Sequence, residues 1–166
     1  AALRDASTVD IAETGEKIQA DSIIIATGSR PIQLPVPGAD GPGVWNSDDF
    51  LEMKRLPESA VIIGGGVVGV EFAQILNRFG IPVTIVEIMD HLIPGADREI
   101  ALALQGSLET EGIQIFTQAR VEKIRHSKSG HTVMFTHQGV GKTCKSDKVI
   151  VSAGRKPELS LLQVDK

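Results

Sequence analysis

Three glycines and one glutamate define the chemistry this sequence can do. Gly64, Gly66 and Gly69 stand in G-x-G-x-x-G spacing directly after the apolar run Val61-Ile62-Ile63, and a helical pattern follows them. Each position meets its own physical demand. Gly64 permits a tight turn off a strand, Gly66 has no Cβ to hold the backbone away from a pyrophosphate, and Gly69 lets the helix lie close on the sheet. The helix start, at Val67 and Val68, offers unpaired amide N–H groups and a partial positive charge to phosphate. Glu87 ends the next apolar run, 18 residues after Gly69. A carboxylate there accepts hydrogen bonds from adenosine-ribose hydroxyls and repels a 2′-phosphate. Ile88, Met89, Asp90 and His91 follow, and no Lys or Arg occurs before Arg98. NAD is therefore expected in preference to NADP, with His91 read as a surface histidine.

Two weaker constellations carry no such chemistry. Gly139-Val140-Gly141-Lys142-Thr143 ends like a nucleoside-triphosphate loop, but Thr136 stands where its first glycine belongs and no helical pattern follows. His126, His131, His137 and Cys144 match no zinc-ligand spacing and are expected in solvated turns, so no metal site is expected.

The elements that must position the glycines are legible on both sides of them. Val61–Ile63 reads as a buried strand, and Val68, Phe72, Ile75, Leu76 and Phe79 fall on one helical face. Gly80 stops that helix, and Val83–Glu87 is a second strand. Asp97 caps a second helix in which Ile100, Leu104 and Leu108 recur every four residues, and Gly112 ends it. Ile113–Phe116 is a third strand. Three further strands, Arg120–Arg125, Thr132–Thr136 and Lys142–Lys145, form a meander with turns at 127–130 and 138–141, and Val149–Ser152 closes the pattern. Strand, helix, strand, helix, strand is an α/β mononucleotide-binding unit: a Rossmann-like parallel βαβαβ sheet covered by helices, with an antiparallel meander added. Upstream, Thr8–Ala12 and Glu16–Gln19 flank a hairpin turn, and Ser22–Ala26 reads as a strand buried on both faces. Residues 31–58 begin with a run rich in proline and glycine and read as a connector. Within it Asn46 to Asp49 cap a short helix through Lys54.

Composition excludes several classes. A length of 166 residues suits one domain with extensions, and a net charge of -4 argues against a nucleic-acid partner. The longest apolar stretch, Val61–Val70, is interrupted by glycines and is too short to cross a membrane. No secretory signal is expected at the N-terminus. A single cysteine, Cys144, permits no intrachain disulfide, which fits a reducing, cytoplasmic setting.

The segments Ile23-Ile24-Ile25-Ala26-Thr27-Gly28-Ser29-Arg30-Pro31, Val61 to Glu71 and Val149 to Pro157 occur in an order that resembles the pyridine nucleotide–disulfide oxidoreductases. They look most like the dihydrolipoamide dehydrogenase branch. The resemblance covers nearly the whole chain. It implies that Gly64, Gly66 and Gly69 hold the NAD pyrophosphate and Glu87 the adenosine ribose. Glu71 matches a glutamate near the nicotinamide, although its position alone suggests a first-turn carboxylate favouring the helix dipole. Gly154 matches a glycine lining the nicotinamide side, and Thr27 and Gly28 match the strand end where the FAD and NAD domains join. The family's FAD fingerprint, redox cysteine pair and C-terminal dimerisation domain have no counterpart here. The chain is therefore expected to be an NAD-binding domain cut from a larger flavoenzyme, inactive alone, with FAD only in the parent. In that parent, hydride would pass from dihydrolipoamide through the cysteine pair and flavin to NAD. Residues 1–30 would be a remnant of the FAD-domain sheet (hairpin plus strand), 59–158 the NAD-binding domain, and 159–166 the start of the return. The resemblance implies that the parent is a homodimer and that a 2-oxo acid dehydrogenase complex is a partner to test. Mercuric reductase, an NAD(P) transhydrogenase or a freestanding NAD-binding protein are the alternatives.

Overall fold

A computed structural model describes residues 1–160 and 162 of the chain. Residues 161 and 163–166, where most of the expected return segment falls, lie outside the described residues. The chain divides into two compact units, Ala1–Arg30 with Arg155–Lys166, and Pro31–Gly154.

In the first unit, β1 (Ala2–Leu3), β2 (Thr8–Asp10) and β3 (Lys17–Gln19) form an antiparallel sheet in that order. Gly15, at φ +71°, supplies the left-handed residue of the expected hairpin turn, and its N–H donates to Ile11 O at 2.8 Å. The expected strand at Ser22–Ala26 is absent: these residues run as irregular chain, and Ile24 is 90% exposed. A strand buried on both faces needs ladder partners at its edges and a cover on each side. No described strand pairs with this segment. The chain then enters β4 (Ser29–Pro31).

The second unit is built on a five-stranded parallel sheet. Its elements run β5 (Val44–Trp45), α1 (Ser47–Leu51), β6 (Ala60–Ile63), α2 (Val67–Arg78), β7 (Val83–Val86), α3 (Arg98–Thr110) and β8 (Gln114–Phe116). The antiparallel meander β9 (Ala119–Ser127), β10 (Gly130–His137) and β11 (Val140–Ser146) follows, and β12 (Lys148–Val151) returns to the sheet. The spatial order is β5-β12-β6-β7-β8, every neighbour parallel. Beyond it, β13 (Arg155–Pro157) returns to the first unit and pairs with β4.

The period-two alternation of strand side chains feeds two separate cores. Ile62, Ile85 and Ile150 pack with Val70, Phe72, Ala73 and Leu76 of α2 and Leu108 of α3. Val61, Ile63, Val86, Val149 and Val151 point the other way, against Ile124, Val133 and Phe135 of the meander. Helices thus cover one face and the meander covers the other, whereas the sequence pattern suggested helices alone. Burial of each such side chain contributes about 1.5–3 kcal/mol.

The helix faces differ from the expected ones. α2 buries Gly69, Val70, Phe72, Ala73 and Leu76, while Val68 and Ile75 are exposed and Phe79 is 65% exposed. The small residues Gly69 and Ala73 choose the face, because they let the helix approach the sheet closely. In α3, Ala101 and Leu108 are buried, Leu104 packs at the core edge, and Ile100 faces solvent. Both helices stop where expected. Gly80 (φ +78°) lets Ile81 N–H reach Leu76 O at 3.1 Å, and Gly112 (φ +95°) lets Ile113 N–H reach Leu108 O at 3.0 Å. Residues 44–51 hold an edge strand and a short helix. α1 ends at Leu51, short of Lys54, and its Phe50 ring stacks on Phe72 with centroids 3.8 Å apart.

Candidate dinucleotide site

The site lies where β6 ends and α2 begins. Gly64 leaves the strand at φ +108°, a conformation L side chains rarely adopt, and its N–H donates to Val86 O at 2.9 Å. A Cβ at Gly64 would meet Ser152 O at 2.6 Å. Gly69 is tighter: a Cβ there would lie 2.0 Å from Gly64 O and 2.6 Å from Ser152 Oγ. Gly66 differs from both. Its backbone is ordinary extended chain (φ -69°, ψ -179°), and an added Cβ would meet nothing within 4 Å. Among the described residues, no conformational or packing demand requires glycine at position 66.

Gly66 is also the N-cap of α2 and offers no side chain to cap it. The first intrahelical bond runs from Val70 N–H to Gly66 O at 3.0 Å. The amides of Val67, Val68 and Gly69 therefore precede the helical ladder and are available to an anion. Val67 and Val68 are exposed there, and α2 has no acidic residue in its first turn. Glu71 is exposed and lies beyond the first turn, which corrects its reading as a first-turn carboxylate. A cleft of about 360 Å³ opens against this end, lined by Gly66, Val67, Ile93, Pro94, Gly95 and Ala96. Ile93 holds a left-handed backbone at φ +47°, costly for a β-branched residue, and its N–H donates to Gly65 O at 2.8 Å. The sequence reading missed Ile93. The Pro94-Gly95 pair after it was the available signal that the chain turns sharply there.

Glu87 closes the other side of the glycine loop. It is only 5% exposed, and both carboxylate oxygens are engaged by backbone: Gly65 N–H donates at 2.5 Å and Met89 N–H at 2.6 Å. Its own backbone is fixed by Phe116 O and Ala119 N, each at 2.8 Å. Arg98, the first cation after Glu87, forms an ion pair with Asp90. His91 is not the expected surface residue: its side chain is 12% exposed, and Nδ1 lies 2.8 Å from Leu92 O. Gly154 belongs to this unit too, at φ +108°, with its carbonyl accepting from Ile32 N–H at 3.0 Å. Thr27 and Gly28 lie in the first unit. There Thr27 Oγ1 donates to Glu158 O at 2.5 Å, and Gly28 O accepts from Glu158 N–H at 2.9 Å.

The rejected motifs resolve differently. Gly139 to Thr143 form the turn and start of β11, with no helix after them. The histidines are not all solvated. His126 and His131 face each other across the β9–β10 ladder with their Nδ1 atoms 2.9 Å apart, and His126 Nε2 lies 2.8 Å from Gly38 O. A carbonyl only accepts, so His126 Nε2 donates to Gly38 O, and one proton lies between the two facing Nδ1 atoms. Burial, then the neighbouring His126 and Lys148, hold His131 below the usual imidazole range. The two-residue turn at Lys128-Ser129 was the signal that sets 126 opposite 131. Burial pushes the half-buried Cys144 thiol up. Among the described residues, no three His, Cys, Asp or Glu side chains are grouped as a metal site, and no helix is long and apolar enough to cross a membrane.

The chain is 39% identical over 155 residues to a dihydrolipoyl dehydrogenase of Bacillus subtilis, covering 93% of this chain and 33% of that protein. It is 36% identical over 161 residues to the dihydrolipoyl dehydrogenase of Thermus scotoductus, covering 95% and 34%. The chain thus spans about a third of the length of these relatives. Among solved structures, the HOCl-induced flavoprotein disulfide reductase RclA from Escherichia coli superposes with a TM-score of 0.80 at 30% identity, over 99% of this chain and 37% of that one. An NAD-dependent persulfide reductase from A. fulgidus matches with a TM-score of 0.75 at 32% identity, over 95% and 30%. The pyridine nucleotide-disulphide oxidoreductase family model matches residues 1–166, and the chain belongs to that family.

Proposed function

We propose that residues 59–158 are the NAD(H)-binding domain of a flavin-dependent oxidoreductase whose reaction is that of a dihydrolipoyl dehydrogenase. The observation that carries the reading is the uncapped start of α2. Gly66 leaves space where a Cβ would stand, and no first-turn carboxylate competes for the helix's positive end. The residues present fit a pyrophosphate at that end and an adenosine ribose toward Glu87. Bound NAD supplies the hydride-accepting chemistry. The chain's own part is to hold and orient the dinucleotide: the amides of Val67, Val68 and Gly69 receive the phosphates, and Gly154 and Glu71 border the nicotinamide. Residues 1–30, with Thr27 and Gly28, belong to the sheet of an FAD domain, and 159–166 begin the return to it. FAD and the redox cysteines are assigned to the remainder of a homodimeric parent enzyme.

Calorimetric titration of the chain with NADH and NADPH tests the proposal. NADH binding with weaker NADPH binding is the expected result, because Glu87 repels a 2′-phosphate. Absence of NADH binding, or NADPH binding as tight, overturns it.

A further inference from the structure

Two strand ends grip one peptide group of the glycine loop. From the end of β7, Glu87 Oε2 accepts from Gly65 N–H at 2.5 Å. From the end of β12, Ser152 Oγ donates to Gly64 O at 2.8 Å, while Ser152 N–H is itself held by Ile63 O at 2.8 Å. Gly64 O and Gly65 N–H belong to the same peptide unit, so the two side chains hold opposite ends of one plane. That plane joins two glycines, and in no other dipeptide is the backbone freer to rotate. The neighbouring units are held chiefly by backbone, Gly64 N–H to Val86 O at 2.9 Å and Gly65 O from Ile93 N–H at 2.8 Å, with a longer contact from Ser152 Oγ to Ile63 O at 3.3 Å. Of these three units, only the Gly64–Gly65 plane is held by side chains at both ends among the described residues.

We propose that Glu87 and Ser152 are positioning residues that fix the Gly64–Gly65 peptide plane before any ligand arrives, and so preset the path of the backbone into Gly66 and α2. The inference rests on the dinucleotide reading for its consequence, but both hydrogen bonds of the clamp lie within the chain itself. Glu87 thereby acts on affinity through the loop and not only through the ribose. Ser152 acts on affinity with no ligand contact assigned to it. Glu87→Gln presents an amide NH₂ to one of the two backbone donors, so one of them loses its acceptor. Ser152→Ala removes the only hydroxyl donor to Gly64 O among the described residues.

Amide hydrogen exchange of the ligand-free chain, followed by NMR, reads the clamp directly. Gly65 N–H is expected to be protected in the wild type, and each substitution is expected to speed its exchange about tenfold or more. NADH should bind about tenfold more weakly to each variant. An NADH analogue lacking the adenosine-ribose hydroxyls should show the same fold loss with Glu87→Gln. Unprotected Gly65 in the wild type overturns the proposal without recourse to any variant. So does a Glu87→Gln loss confined to NADH and absent with the analogue, joined to a Ser152→Ala variant that binds normally. Protected Gly65 in a chain that binds no NADH supports the clamp and overturns the dinucleotide reading instead.

Discussion

α2 and α3 both follow a parallel strand of the same sheet, yet their N-termini are built in opposite ways. α3 begins at Asp97, whose carboxylate accepts from Glu99 N–H at 2.9 Å, and Glu99 adds a second carboxylate in the first turn. α1 is closed as well: Asn46 and Asp49 form a reciprocal capping box. α2 begins at Gly66 with no capping side chain and no acid in its first turn. A glycine N-cap is weaker than Asp or Asn by only a few tenths of a kcal/mol, so α2 forgoes a little stability that its neighbours take. Under the proposed function, the difference marks the end of α2 as the place for the anion. Helix ends that serve only the fold are closed by the chain's own oxygen atoms, and the end left open is beside the three-glycine turn.

The largest effect is expected from destroying the seat of the open end. In Gly69→Val, the new Cβ lies 2.0 Å from the Gly64 carbonyl oxygen, which is backbone and cannot swing aside. Overpacking of that kind costs ~3 kcal/mol or more. Thermal denaturation should show a midpoint lower by roughly 6 °C or more, with NADH binding lost alongside. An unchanged midpoint would mean that α2 is not seated on Gly64 as described.

Next in size is a substitution that closes the open end as α3 is closed. Gly66→Asp meets no neighbour within 4 Å, and its backbone is already extended, as an N-cap requires. The fold should gain a few tenths of a kcal/mol from the new cap. NADH affinity should fall by about a hundredfold, because the carboxylate occupies the amides and repels the phosphates. Stability and binding moving in opposite directions is the signature; a variant that melts higher and still binds NADH like wild type breaks the comparison.

This open end was legible because its signal is local: strand, three glycines, helix and a carboxylate lie within Val61–Glu87. The glycine spacing and the stops at Gly80 and Gly112 need no distant partner to be read. What escaped depends on distant partners. Val44-Trp45 is a strand only because β12, about a hundred residues on, offers it an edge. Ser22–Ala26 has strand composition, yet no described strand pairs with it. On α2 the large apolar residues Ile75 and Phe79 drew the expected face outward, while Gly69 and Ala73 seat it by being small. Ser152 carries no motif at all. Its role appears only once β12 is laid beside β6 and brings its hydroxyl to Gly64.

A smaller effect tests the closed end. Asp97→Ala removes the acceptor for Glu99 N–H and should destabilise the chain by about 1 kcal/mol. The loss should be read as a lower urea midpoint with unchanged slope. NADH affinity should stay at the wild-type value, since no phosphate is assigned to α3. A matching fall in affinity would place the anion at the wrong helix.

The smallest effect separates the two ends by acid. At the α3 end, Asp90 is paired with Arg98, the first residue of the helix. The hydrogen bond from Arg98, aided by its charge and that of His91, holds the Asp90 carboxyl below its ordinary value of 3.8. A carboxyl depressed in the folded state contributes stability above its unfolded pKa and loses it as pH falls through the folded one. The pair is exposed and screened by salt, so the change is local and small. Amide exchange in the first turn of α3, corrected for its intrinsic pH dependence, should therefore accelerate between about pH 5 and pH 3. Asp90→Asn should remove part of that acceleration, because the amide cannot titrate. The buried middle of α2, at Ala73 and Leu76, holds no such pair, so its exchange should follow the intrinsic rate alone over the same range. Equal acceleration at both helices would mean that acid loosens the sheet as a whole, and that the carboxylates around α3 do not close its end independently of the fold.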